Sequence, residues 1–286
     1  MRLVSYLNGS SPALAIRIEQ ELVNLTALGL PSSLEEWLSL GENGREHTQS
    51  AVASATRRVP LSGIRYLPPL QRPSKAIAVG LNYADHAAET KLVTAEYPTL
   101  FQRYPSSWVG HGAPIIRPTV SVQLDYEGEL VVVIGKPGRS ISKRSALTHV
   151  AGYSIFNEGS IRDYQLRTSQ WMIGKNFDRS GAFGPEFVTA DELPEGATGL
   201  RLQTRLNGKT VQDANTRDMI FDIASLIATC SEACLLNVGD MIITGTPSGV
   251  GFTRKPPLFM KSGDLCEIDI EGLGVLSNPV CDEATD

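Results

Sequence analysis

The sequence predicts an α+β protein in which strands greatly outnumber helices. Strand-like runs follow one another closely after residue 75: AIAVGL, GELVVVIGK, HVAGYSIF, LRLQTRLNG, DMIITG and LCEIDIEGLG. They are rich in β-branched and apolar residues, with turn-forming residues between them. Helical patterning appears between some of these runs, notably in SALTHV and DMIFDIASLIATCSEACLL. Few helices among many strands point to a mixed, largely antiparallel architecture rather than a doubly wound sheet.

Residues 1–70 read as a small first unit. MRLVSYL and PALAIRI form two strands, with NGSS as the turn between them. SSLEEWLSL is a short helix capped by serine, with Glu35 and Glu36 favourably placed in its first turn. REHTQSAVASATRR is a second helix, and His47 within it is expected at the surface. The Pro-rich LPPLQRPSK then marks a boundary, so residues 71–286 are expected to form a second, larger domain.

The formal net charge is −5 and no basic run stands out, which argues against a nucleic-acid partner. No apolar run approaches the ~18 residues of a membrane span. The N-terminus lacks the charged and apolar regions of a signal peptide. A cytoplasmic protein is expected. To bind an acidic substrate, an acidic chain needs a local positive centre, either a metal or Arg and Lys. The four cysteines, Cys230, Cys234, Cys266 and Cys281, lack zinc spacing and are expected to be buried, inert thiols.

In LDYEGELVVVIGK, strand alternation puts Asp125, Glu127 and Glu129 on one face. Three acids in a row repel one another unless a cation or solvent intervenes. A wet strand end would explain them. So would a hard divalent ion, because VVVIG looks buried on both faces and the acids stand at its mouth. In AGYSIFNEGSIRDYQ, Glu158 ends a strand and is followed by Arg162, Asp163 and Gln165. That pattern suits either a surface ion pair or a third ligand with substrate-facing neighbours.

VGLNYADHAAETKL starts as a strand and becomes helical, which makes His86 and Glu89 neighbours at i,i+3. A carboxylate beside imidazole raises its basicity and suits a general base, although an ordinary exposed pair has the same spacing. His111 lies on a glycine-flanked loop, and His149 precedes a strand as a structural residue. IITGTPSGVGF lacks the Gly-Lys-Ser/Thr ending of a phosphate loop, but its Thr246 and backbone N–H groups could receive a carboxylate. Lys175, after the strand-like WMIG, is either a cation for an anionic substrate or a surface lysine.

Seven blocks in order resemble the fumarylacetoacetate hydrolase family: VGLNYADHAAE, LFQRYPSS, LDYEGELVVVIGK, HVAGYSIFNEGSIRDYQ, GKNFD with GPEFV, LNGKTVQD, and GDMIITGTPSGVGF. The resemblance covers roughly residues 74–280. The first 70 residues resemble the variable N-terminal unit of bacterial two-domain members. This implies a mixed β-roll catalytic domain, usually a homodimer, that uses Mg²⁺ or Mn²⁺.

The family's E-x-E motif makes Glu127 and Glu129 the metal ligands and moves Asp125 outward, either just behind the ligands or to the surface. The third ligand falls at Glu158, where the family usually has aspartate. The family's lid dyad matches His86 and Glu89. Its substrate-facing arginine and glutamine match Arg162 and Gln165, its lysine matches Lys175, and its threonine matches Thr246. Arg103 stands where many members carry lysine and offers a two-pronged carboxylate grip.

The implied activity is metal-dependent hydrolysis of a C–C bond in a 2,4-diketo acid, with His86 activating water and Lys175, Gln165 or Arg103 facing the oxyanion. The same site chemistry would also serve decarboxylation of oxaloacetate, hydration of a 2-hydroxydienoate, or keto–enol isomerisation. A non-catalytic, metal-stabilised keto acid binder is the alternative outside enzymes.

Overall fold

A computed structural model describes residues 1–90 and 96–284. A twelve-stranded sheet and a five-stranded sheet pack against each other, so strands dominate as the sequence predicts. In the larger sheet the central strand Gly128–Ile134 pairs antiparallel with Val150–Asn157 on one side and Met241–Ile243 on the other. Ala76–Gly80 lies parallel beyond Met241–Ile243, followed by Thr99–Gln102. On the opposite flank come Gly181–Thr189 and Arg2–Asn8. The smaller sheet has the order Lys209–Asn215, Arg201–Leu206, Leu265–Ile270, Gly274–Asp282, Ile115–Arg117.

The central strand is buried on both faces, as VVVIG suggested. Leu130, Val132 and Ile134 share one core with Leu202, Ile268 and Leu276 of the smaller sheet. Val131 and Val133 turn to the other face and join Trp37, Leu38, Phe187 and Ile243. The N-terminal segment therefore covers one side of the sheet that carries the rest of the chain. Its hairpin Arg2–Asn8 and Ser11–Ile18 extends that sheet, and Ser33 caps the helix Leu34–Ser39 by accepting the Glu36 N–H. The helix Gly41–Ser54 follows, with Thr48 accepting the Trp37 indole N–H at 2.9 Å.

The Pro-rich segment is pinned at both ends. Gln71 and Arg72 donate their N–H groups to Glu35, and Lys75 donates its own to Asp240.

Several local expectations change. LDYEGEL is not one strand: Leu124–Asp125 and Gly128–Ile134 are separate, with Tyr126 and Glu127 between them. WMIGK is a short helix, Met172–Lys175, rather than a strand end. The long helical run shortens to Ile223–Ala233, because Asp222 caps it by accepting the Ser225 N–H at 2.8 Å. Cys230 and Cys266 are buried, and burial pushes both thiols up to about 12. Cys234 is half-buried and Cys281 exposed, so burial of all four does not hold. His47 is exposed, whereas His149 is buried with Nδ1 2.8 Å from the Lys136 carbonyl. Among the described residues no helix is long and apolar enough to cross a membrane.

Trp37 fills the core beneath the central strand. Trp37→Ala should cost about 3–5 kcal/mol by removing that packing and leaving a cavity. In urea this should appear as a lower unfolding midpoint with an unchanged slope.

Candidate active site

The chemistry-bearing residues gather at one end of the larger sheet, and strand pairing puts them there. Gly128, first residue of the central strand, lies opposite Asn157, last residue of its neighbour. Glu127 and Glu129 therefore flank the position where Glu158 emerges, and Glu158 donates its N–H to the Glu127 carbonyl at 2.9 Å. Met241–Ile243 ends at the same edge and leads into the 244–252 loop. Ala76–Gly80 also ends there and leads to the helix Ala84–Thr90, which carries His86. Two short helices, Arg162–Gln165 and Met172–Lys175, close the remaining side.

Glu127, Glu129 and Glu158 are all buried, and ligand oxygens of the three lie within 4.8 Å of one another. Lys175 bridges two of them, with Nζ 2.5 Å from Glu127 Oε2 and 2.7 Å from Glu158 Oε2. Arg162 lies 2.6 Å from Glu127 Oε1, donates to Asp125 Oδ2 at 2.8 Å, and donates to Gln165 Oε1 at 2.8 Å. Burial alone would raise Glu127, yet Arg162 and Lys175 bring it down to about 2. Burial, then repulsion from Glu158 and Glu127, push Glu129 well above the usual carboxylate range. Burial also lifts Glu158, against the opposing pull of Lys175.

The glycine-rich loop binds carboxylates through its backbone, and those carboxylates are the protein's own. Gly245 donates its N–H to Glu129 Oε2 at 2.6 Å. Gly249 donates to Glu89, at 3.0 Å from Oε2. Gly251 and Phe252 donate to the two oxygens of Asp125, at 2.7 and 3.0 Å. Gly245 and Gly249 have φ of 98° and 99°, a left-handed backbone open chiefly to glycine. Of the two places expected for Asp125, behind the ligands or at the surface, the structure shows the first: it is fully buried, and three backbone N–H groups (Tyr126, Gly251 and Phe252) and Arg162 replace its water.

His86 is buried, with Nδ1 3.5 Å from Glu89 Oε2, so the predicted pair forms. Glu89 also accepts from Thr253 Oγ1 at 2.8 Å. The segment that carries this dyad, which the family resemblance makes a lid over residues 82–95, is described through residue 90, and residues 91–95 lie outside the described residues. Thr246 Oγ1 donates to the Gly128 carbonyl at 3.0 Å while also lining the cavity. Arg103 does not line it. Its guanidinium is buried beneath the 158–159 turn, donating to Ser107 Oγ and the Gly159 carbonyl at 3.2 Å each. His111 Nδ1 accepts the Ser277 N–H away from this edge.

The cavity is about 40 Å³ and lined by His86, the three glutamates, Arg162, Gln165, Lys175 and Thr246. That is little more than the roughly 30 Å³ share of one water in the liquid. Its apolar wall is Val79, Leu81, Leu166, Trp171 and Phe252. The donor set fits a hard divalent cation. All three side chains offer oxygen, and Glu158 Oε1 is buried with no hydrogen-bond partner. An orphaned carboxylate oxygen facing two other acids is costly unless a cation takes it.

The profile of the fumarylacetoacetate hydrolase C-terminal family matches residues 75–281. The chain belongs to the fumarylacetoacetate hydrolase family. An oxaloacetate tautomerase of Xenopus laevis, named as mitochondrial, is 39% identical over 98% of this chain and 90% of its own. A fumarylacetoacetate hydrolase structure from Exiguobacterium antarcticum has a TM-score of 0.87 at 34% identity, covering 99% of this chain and all of its own. Maleylpyruvate hydrolase from Sphingobium sp. SYK-6, solved with manganese(II) and pyruvate, has a TM-score of 0.84 at 29% identity, covering 99% and 100%. The family thus includes enzymes acting on small keto acids.

The sequence reading passed over Thr253 and Gln212. Nothing in its patterning marked Thr253. Gln212 lay in the LNGKTVQD block without a role, and burial of both Val211 and Gln212 breaks the alternation that would have flagged an inward polar residue.

Burial would raise the Glu89 carboxyl, but hydrogen bonds from His86, Thr253 and Gly249 hold it below its ordinary 4.5. A depressed folded pKa adds stability above the unfolded value, and that contribution is lost as pH falls through the folded value. The stability gap between wild type and Glu89→Gln should therefore narrow as pH falls below about 4.5. Thermal melts across pH 3–7 check this, and a gap that widens on acidification contradicts it.

Proposed function

We propose that this protein is a divalent-metal-dependent enzyme that interconverts the keto and enol forms of a short 2-keto acid of the oxaloacetate type. The observation that carries the reading is a buried histidine sharing one small cavity with three buried glutamates. Glu127, Glu129 and Glu158 would hold Mg²⁺ or Mn²⁺, which supplies Lewis-acid polarisation of the 2-oxo group. Formally, Glu89, Asp125 and the three glutamates outnumber Arg103, Arg162 and Lys175 by two. A divalent ion balances that excess, so an anionic substrate meets no net negative charge.

His86 moves the proton between C3 and the 2-oxygen. Glu89 at Nδ1 fixes the imidazole tautomer and makes Nε2 the proton-carrying atom. Lys175 and Gln165 orient the carboxylate end of the substrate, and Thr246 adds a hydroxyl to the same wall. Arg103 acts through Glu158 and its turn. Trp171 and Leu166 cover the cavity and exclude bulk water. The Xenopus relative supports oxaloacetate as the substrate class.

A second reading is hydrolysis of an acylpyruvate, favoured by the apolar wall, which suits an acyl tail, and by the His86–Glu89 pair, which can activate water. The two separate in one assay set on Mn²⁺-loaded protein: decay of enol-oxaloacetate, release of pyruvate from oxaloacetate, and cleavage of acetylpyruvate. Enol decay should be the fastest, and His86→Ala should slow it by about 10²–10⁴-fold. Cleavage outrunning enol decay moves the assignment to hydrolysis, and dominant pyruvate release moves it to decarboxylation. Full activity in both His86→Ala and Glu129→Gln sinks the scheme.

A further inference from the structure

Gln212 reaches the site from the opposite sheet. It lies in Lys209–Asn215 of the smaller sheet and is 2% exposed. Its amide oxygen accepts the Gly128 N–H at 3.0 Å and the Thr204 hydroxyl at 2.7 Å. Its amide nitrogen donates to Thr246 Oγ1 at 2.8 Å and to the Pro247 carbonyl at 2.9 Å. Two acceptor and two donor positions are the full capacity of a primary amide.

Three of these groups close a ring. Gly128 N–H donates to Gln212, Gln212 donates to Thr246, and Thr246 donates to the Gly128 carbonyl. The Gly128 N–H belongs to the peptide joining Glu127 to Gly128, and its carbonyl to the peptide joining Gly128 to Glu129. Both peptide planes between the two glutamates are thereby fixed. Only glycine suits the position, because a Cβ there would strike Thr204 Oγ1.

We infer that Gln212 is a positioning residue that sets the relative orientation of the Glu127 and Glu129 carboxylates for metal binding. The inference rests on the reading of Glu127, Glu129 and Glu158 as ligands. Glu127 and Glu129 repel each other, which favours rotation of the backbone between them. The ring opposes that rotation together with the Glu158 N–H that the Glu127 carbonyl accepts on the same peptide plane. Ligand geometry within about 0.5 Å decides affinity, so loss of the ring weakens the ion more than it unfolds the chain.

The test measures Mn²⁺ binding by calorimetry and by the EPR signal of free Mn²⁺, with melting temperature recorded alongside. Gln212→Met keeps the volume and removes the whole amide. Gln212→Asn withdraws it by one methylene and carries the test if the methionine variant does not fold. Each should weaken Mn²⁺ binding by about 10–100-fold, the usual cost of losing a group that supports a metal ligand. Trp37→Ala, destabilised far from the cavity, should melt earlier and bind Mn²⁺ as wild type does. Thr246→Val breaks the same ring, so its effect and that of Gln212→Met should fall short of additive.

Wild-type Mn²⁺ affinity in a folded Gln212 variant, with binding abolished in Glu129→Gln, overturns the positioning role and leaves the metal site standing. Wild-type binding in both Glu127→Gln and Glu129→Gln overturns the metal site and this inference with it.

Discussion

Repulsion among Glu127, Glu129 and Glu158 is the constraint around which this molecule is arranged. Three carboxylates with oxygens within 4.8 Å of one another are held out of water. Ionised groups cannot share such a space without compensation, and burial makes each uncompensated charge more costly. The compensation comes from distant parts of the chain. Lys175 and Arg162 supply charge from two short helices. Arg103 supplies it from below, its own pKa lowered by burial and sustained first by Glu158. Gly245 supplies a backbone N–H from the loop after Met241–Ile243. A fold that delivers all of these to one edge needs several strands ending together, and the central part of the larger sheet does that.

Much of this was legible in the chain, and what was not has identifiable reasons. The run Leu130–Ile134 announced burial on both faces, and the structure supplies a core for each. Alternation placed Glu127 and Glu129 together because the side-chain period of a strand survives even where the strand itself begins only at Gly128. It failed for Asp125, which the break at Tyr126 and Glu127 carries away from the cluster to anchor Arg162. The glycine loop was legible as an anion-binding backbone, but sequence cannot tell a substrate's carboxylate from the protein's own. Arg103 was expected to grip substrate because it stands where many family members carry lysine. Its burial under Gly159 depends on a turn more than fifty residues away.

The same arrangement explains why related enzymes with different names share this architecture. Enolisation needs a polarised oxo group and one base. Hydrolysis adds an activated water and room for an acyl tail. On the proposed reading, the residues around the three glutamates serve the common step, and discrimination between the reactions falls to the apolar wall. Gly80 has no side chain because the Trp171 ring occupies that space, and Phe101 meets the ring edge-on at 5.8 Å. This packing brings the apolar wall close to the three glutamates and keeps the cavity small.

The 244–252 loop ties the parts of the site to one another. Its N–H groups hold Glu129 of the cluster, Glu89 of the histidine pair, and Asp125 beneath Arg162. The side chain of Arg254 in turn donates to the Gly249 and Val211 carbonyls, locking the loop to the smaller sheet. No one of these carboxylates can shift without altering the backbone that orients the other two. The position of His86 is therefore coupled, through Glu89 and the five residues from Gly245 to Gly249, to the geometry of Glu129. That coupling is a physical reason for a glycine-rich loop at a site with no phosphate to cradle. Closely spaced N–H groups on a backbone able to adopt positive φ can hold several carboxylates at fixed separations, which flexible side-chain donors cannot do.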